Sequence, residues 1–98
     1  MELTGKQKIA TRKELNLKDM DWISLKNEID NGDYDYDFYY GNPDDKTLID
    51  GVIDDYDFDT ITLDGLKYVN GEKVSKSPLG EKVTISPDDI YRIVKYMK

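Results

Sequence analysis

Asp33-Tyr34-Asp35-Tyr36-Asp37-Phe38-Tyr39-Tyr40 alternates acid and ring through its first six residues. That period of two decides the architecture. Successive side chains on a strand point to opposite faces. Tyr34, Tyr36, Phe38 and Tyr40 therefore share one face, and Asp33, Asp35, Asp37 and Tyr39 share the other. A disordered acidic tail lacks such rings; here the rings supply a core and the carboxylates a surface.

Upstream the period is close to four. Trp22, Leu25 and Ile29 fall at helical spacing between Asp19 and Ile29, with Asp19 or Asp21 as the cap and Asn31-Gly32 as the stop. Trp22 is expected to anchor this helix in the core. Residues 1–15 are basic and weakly patterned. Thr11-Arg12-Lys13-Glu14 matches a capping box, so a short helix or a loose basic arm is expected there. Lys6, Lys8, Arg12 and Lys13 are read as charge balance.

Downstream, Gly41-Asn42-Pro43-Asp44 reads as a turn and Thr47–Ile53 as a strand that Gly51 weakens or bulges. Tyr56–Leu63 alternates again, with a bulge or break near Asp59-Thr60. Asp64-Gly65 and Asn70-Gly71 both read as hairpin turns around a strand at Leu66–Val69. Glu72–Ser75 and Lys82–Ile85 follow as strands, joined by a loop at Ser77-Pro78-Leu79-Gly80. Ser86-Pro87-Asp88-Asp89 carries the cap, the proline and the acids of a helix start. Ile90, Ile93, Val94 and Met97 then give an apolar stripe on a helix running to Lys98. The expected fold is α+β: one domain over residues 1–98, an antiparallel sheet of about five short strands, flanked by an N-terminal and a C-terminal helix.

Charge is distributed as a block. Twelve of the 21 acidic residues lie between Asp30 and Asp64 against one base, Lys46, a net −11 for that stretch. Both Phe and five of the eight Tyr lie there too. Such a surface repels nucleic acid and anionic lipid and attracts a basic partner. A protein selected only for solubility intersperses both signs; the bland alternative is a solvated face that keeps an edge strand from aggregating.

Catalytic chemistry finds little support. Cys and His are both absent, which removes thiolate nucleophiles, Cys/His zinc sites and the usual general base near neutral pH. No Gly-rich phosphate loop occurs. Pro43-Asp44-Asp45-Lys46 holds fragments of a metal-nuclease signature, crowded into a turn. Calcium loops starting at Asp33 or Asp55 fail at position 6, where Phe38 or Thr60 replaces the required Gly. The expectation is therefore no enzyme, no cofactor and no dedicated metal. With no apolar run long enough to span a bilayer and no apolar signal core at the start, the expected location is the cytoplasm, that of a host cell if a phage encodes the chain.

The stretches Asp33-Tyr34-Asp35-Tyr36-Asp37 and Asp54-Asp55-Tyr56-Asp57-Phe58-Asp59 resemble, in composition, small His-poor acidic α+β inhibitors of phages and mobile elements, among them anti-CRISPR and anti-restriction proteins. The likeness covers about a third of the chain, and such inhibitors share no common fold. It implies a non-catalytic inhibitor that mimics nucleic acid and occupies the basic groove of a nuclease. The residues expected to meet that partner are Asp33, Asp35, Asp37, Tyr39, Asp44, Asp45, Asp54, Asp55, Asp57 and Asp59. Tyr39 is included because it lies in phase with the aspartates and a ring there can stack on a partner's Arg. An immunity protein or antitoxin capping a basic toxin uses the same electrostatics. A structural or regulatory phage-type module would instead bind through the helix Asp88–Lys98.

Overall fold

The computed structural model describes residues 13–32, 34–76 and 80–97. Asp33, the arm up to residue 12 and the loop residues 77–79 lie outside the described residues. Seven strands form one antiparallel sheet: β1 (Lys13–Glu14), β2 (Tyr34–Tyr40), β3 (Leu48–Tyr56), β4 (Ile61–Val69), β5 (Glu72–Lys73), β6 (Glu81–Ile85) and β7 (Ile90–Met97). Among the described residues one α-helix, α1 (Trp22–Asp30), precedes β2. The order is β1-β7-β2-β3-β4-β5, with β6 also on β4.

The sheet must curl. β6 and β7 are joined by residues 86–89 alone, yet β4, β3 and β2 stand between them. Four strand spacings across a flat sheet come to about 19 Å, and the five Cα steps of the link reach at most about 18 Å when fully extended. Part of that link is a short 3₁₀ turn, Pro87–Asp89, which shortens it further. The result is a half-barrel.

The bend is written in glycine. Gly51 of β3 lies opposite Gly65 of β4. A Cβ on Gly51 would sit 2.0 Å from the Asp64 carbonyl oxygen, and one on Gly65 2.2 Å from that of Asp50. Asp64-Gly65 is therefore no hairpin turn: it lies inside β4, and the Gly allows two backbones to touch. The expected break near Asp59-Thr60 is present as the loop of residues 57–60, which separates β3 from β4. Asn70-Gly71 does form a hairpin, with both residues at positive φ (52° and 82°).

The concave side holds the core. Tyr36, Phe38, Ile49, Ile53, Ile61, Leu63 and Ile93 are at most 1% exposed, and each buried Phe, Ile or Leu favours the fold by roughly 1.5–3 kcal/mol. Helix α1 packs onto this side with Leu25 and Ile29. Its start is fixed by Asp21, which accepts from the Ile23 and Ser24 amides at 3.1 and 3.2 Å. Those bonds, together with one from the Ser24 hydroxyl, hold the Asp21 carboxyl below its ordinary value. Trp22 packs against the core, stacked on Tyr56 at 6.4 Å between centroids.

The expected C-terminal helix is strand β7. Ser86 does cap, accepting from the Asp88 amide, but the turn it starts ends at Asp89. Ile90–Met97 then pairs along β2 from Tyr40↔Ile90 to Tyr34↔Met97 and takes β1 on its other edge. A bulge explains the misleading pattern. Tyr39 pairs with Arg92 and Tyr40 with Ile90, so Tyr91 is an extra residue that reverses the alternation. Ile90 and Ile93 both reach the core, three residues apart, and a strand thereby imitates helical spacing. The reading that docks a partner on a helix Asp88–Lys98 loses its element.

Candidate partner-binding surface

The described expected residues separate into three places. Asp35, Asp37 and Tyr39 project from the convex side of β2, half-buried, in phase as the alternation requires. Their strand is hydrogen-bonded on both sides, to β7 and to β3, so the carboxylates stand on a rigid base. The register adds a residue that the sequence reading missed. Asp50 of β3 lies directly opposite Asp37, and Asp50 too is half-buried. Like charges directly opposite oppose pairing.

Around this pair the convex face is aromatic and aliphatic. Tyr39 pairs with Leu48, and Leu48 with Tyr68. Tyr96, from β7, donates its hydroxyl to Asp37 Oδ1 at 3.2 Å. Burial, and then the negative charge of Asp37 and Asp50, pushes the Tyr96 phenol far above its usual range. Asp37, Leu48, Asp50, Tyr68, Gly71 and Tyr96 line a depression of about 230 Å³. A second depression, lined by Tyr39, Lys46, Leu48, Asn70 and Gly71, adjoins it through Leu48 and Gly71. Arg92 lies over the Tyr39 ring, 5.1 Å from its centroid, and bridges to Glu14 at 2.6 Å.

Asp44 and Asp45 occupy the second place, an exposed 3₁₀ turn between β2 and β3. The Asn42 side chain caps that turn by accepting from the Asp44 amide. The Asp45 carbonyl accepts from the Asn70 amide at 3.0 Å, which ties the turn to the β4–β5 hairpin.

The third place is the β3–β4 hairpin tip. Ile53 pairs with Leu63 and Asp55 with Thr62, so Asp54 is a bulged residue. Asp54 and Asp55 are consequently exposed in succession, and Tyr56 returns inward to meet Trp22. Asp54 reaches Lys82 of β6 at 3.3 Å, an exposed pair worth roughly 0–1 kcal/mol. Asp57 and Asp59 are exposed in the connecting loop, closed by an Asp57 amide to Thr60 carbonyl bond of 2.8 Å. Between them Phe58 is 94% exposed. Grouped in the sequence with the rings of the acidic block, it adds nothing to the core and presents an apolar tip between exposed Asp57 and Asp59.

The structure thus joins Asp35, Asp37 and Tyr39 with Asp50, Tyr68 and Tyr96, and sets Asp54, Asp55, Asp57 and Asp59 apart from them, beyond the Gly51 crease. Asp50 was findable only by aligning β2 with β3, and Tyr96 only by reading Ile90–Met97 as a strand. Among the described residues no Asp/Glu grouping suits a metal ion, and no helix is long and apolar enough to cross a membrane. No family model matches the chain, and no curated protein or solved structure is significantly similar to it.

Proposed function

We propose that this protein is a non-catalytic inhibitor whose acidic, Tyr-bearing surface mimics nucleic acid and occupies the basic groove of a nuclease, such as a CRISPR effector or a restriction enzyme, in the cytoplasm of a host cell. One observation carries the reading: among the described residues, no charged side chain is buried, so the described carboxylates of the block are presented outward. Those on β2 and β3 are held by a sheet, which fixes their spacing at about 6.6 Å along β2 and about 5 Å across to β3. Rigid charge of this kind steers association with a cationic groove and makes it salt-sensitive. Exposed Phe58 and the half-buried Tyr39 and Tyr68 supply apolar contact area that slows release.

The test is inhibition of DNA cleavage across a panel of RNA-guided effectors and restriction endonucleases. The native chain is expected to block at least one at near-equimolar ratio, with relief by added salt. A variant with Asp→Asn at positions 33, 35, 37, 55, 57 and 59 is expected to fold, by circular dichroism, and to lose the block. A panel left untouched by the native chain, or equal inhibition by the variant, overturns the reading.

A further inference from the structure

We infer that Asn70, at the turn between β4 and β5, is the asparagine that the folded protein converts spontaneously into aspartate and isoaspartate. The reaction is hydrolytic and needs only water. The Gly71 main-chain nitrogen gives its proton to solvent base and attacks Asn70 Cγ. The N–Cγ bond forms, the Cγ–Nδ2 bond breaks, and the nitrogen leaves as ammonia with a proton from water. Water then opens the five-membered imide at either carbonyl, giving aspartate or isoaspartate. The chemistry asks for three things: a carboxamide in water, a following residue without a side chain to obstruct closure, and a main-chain nitrogen whose N–H is not held in a hydrogen bond.

The chain has five asparagines, and two of them, Asn31 and Asn70, precede glycine. Both are exposed, so exposure does not choose between them. The structure separates them at the nitrogen. The Gly32 amide donates to the Ile29 carbonyl at 3.0 Å, within the stop of α1. Among the described residues the Gly71 amide has no such acceptor, and even a Cβ on Gly71 would meet nothing within 4 Å. Asn42 precedes Pro43, which has no N–H, and its side chain caps the 3₁₀ turn. Asn16 precedes the branched Leu17, and its Oδ1 accepts from the Lys18 amide at 2.9 Å. Asn27 lies inside α1, where amides bond the carbonyls four residues back. Attack at Asn70 also needs the turn to rotate out of its resting shape. β5 is two exposed residues paired only with Tyr68 and Val69, so this end of the sheet opens at small cost. The product alters the surface. A carboxylate replaces the amide in the depression that Asn70 lines with Tyr39, Lys46, Leu48 and Gly71, and the net charge falls one unit below the present −7. Isoaspartate also adds a carbon to the main chain where the Asn70 amide ties the hairpin to Asp45 at 3.0 Å.

The experiment incubates the full chain in mildly alkaline buffer, folded in one arm and urea-denatured in the other, and follows both by tryptic digestion and mass spectrometry. Cleavage after Lys67 and Lys73 isolates Asn70 in the peptide Tyr68–Lys73, apart from Asn31 in Asn27–Lys46. Isoaspartate is read separately, by methyl transfer from labelled S-adenosylmethionine with an isoaspartyl methyltransferase. In the folded arm Asn70 should convert at least about fivefold faster than Asn31, the factor that one intact hydrogen bond at Gly32 supplies. In urea that bond is gone, and the two Asn-Gly pairs should converge. Methyl transfer should track the change in the Asn70 peptide. Asn70 left intact in the folded chain, conversion at Asn31 as fast as at Asn70, or the same ratio with and without urea would each overturn the inference. The readout uses no nuclease, so it stands or falls apart from the inhibitor reading.

Discussion

The aspartates of β2 and those of the β3–β4 tip come from almost the same local sequence, acid alternating with ring, and the fold uses them in opposite ways. On β2 the rings turn inward: Tyr36 and Phe38 are 1% and 0% exposed, and Asp35 and Asp37 are half-sunk between neighbouring strands. At the tip the ring turns outward: Phe58 is 94% exposed, and Asp57 and Asp59 stand in a loop. The difference is not in the residues but in their neighbours. β2 has a strand on each side, so alternation becomes two faces. Residues 57–60 have none, so alternation is only a string of polar and apolar contacts with solvent. One Asp-Tyr or Asp-Phe pattern thus yields a sheet-held surface in one place and an exposed loop tip in the other.

Four substitutions probe this contrast. The largest effect is expected at the crease between the two regions. Gly65→Val places a branched side chain where even a Cβ would meet the Asp50 carbonyl oxygen at 2.2 Å. Destabilisation of about 4 kcal/mol or more is expected, read as loss of a cooperative thermal transition. A native-like melt would show that the strands can separate there, and that the two regions are not fixed by the bend. Next comes the ring pair. Phe38→Ala should cost about 3–5 kcal/mol by denaturant titration, and Phe58→Ala should stay within about 0.5 kcal/mol of the native chain. Comparable losses would place Phe58 in the core and erase the contrast.

The smallest effect concerns alkali. The folded protein raises the Tyr96 phenol above the ordinary 10.0, chiefly by burial and then by Asp37 and Asp50. The folded state keeps a proton that the unfolded chain gives up. The stability linked to Tyr96 is therefore intact below about pH 10 and is lost as pH rises beyond it. Tyr96→Phe should flatten the fall of melting temperature between pH 9.5 and about 11.5. Tyr40 and Tyr91, also raised by burial, should leave part of the fall in place. An unchanged slope would mean that the convex face does not exclude water around Tyr96.

Much of this was legible in the chain. The helix ending at Asn31-Gly32, the two faces of β2, the turn after Tyr40 and the Asn70-Gly71 hairpin all follow from local chemistry, because each is decided within a few residues. What failed was decided at long range. Ser86-Pro87-Asp88-Asp89 is a sound helix start, but propensity yields to β2, which pairs with Ile90–Met97 along its length, and to β1, which pairs with Val94 and Lys95. Asp64-Gly65 has the composition of a turn, and only the proximity of Gly51 shows that its Gly serves a backbone contact instead. The candidate surface divides in the same way. Asp35, Asp37 and Tyr39 were visible as a row on one strand. Asp50, Tyr68 and Tyr96 joined them only through a register that no single stretch of sequence contains.

The place of β7 has a consequence for how the molecule comes into being. It lies between residues 13–14 and residues 34–40, so β2 keeps one naked edge until the ribosome has released residues 90–97. Contacts of that sequence separation form slowly, and a strand rich in Tyr and Phe left waiting is an invitation to mispair with another nascent chain. Asp35 and Asp37 punctuate it with repelling charge, in the manner of gatekeepers beside an unavoidable apolar strand. The carboxylates displayed on the convex face of the finished protein thus also guard their own strand during synthesis.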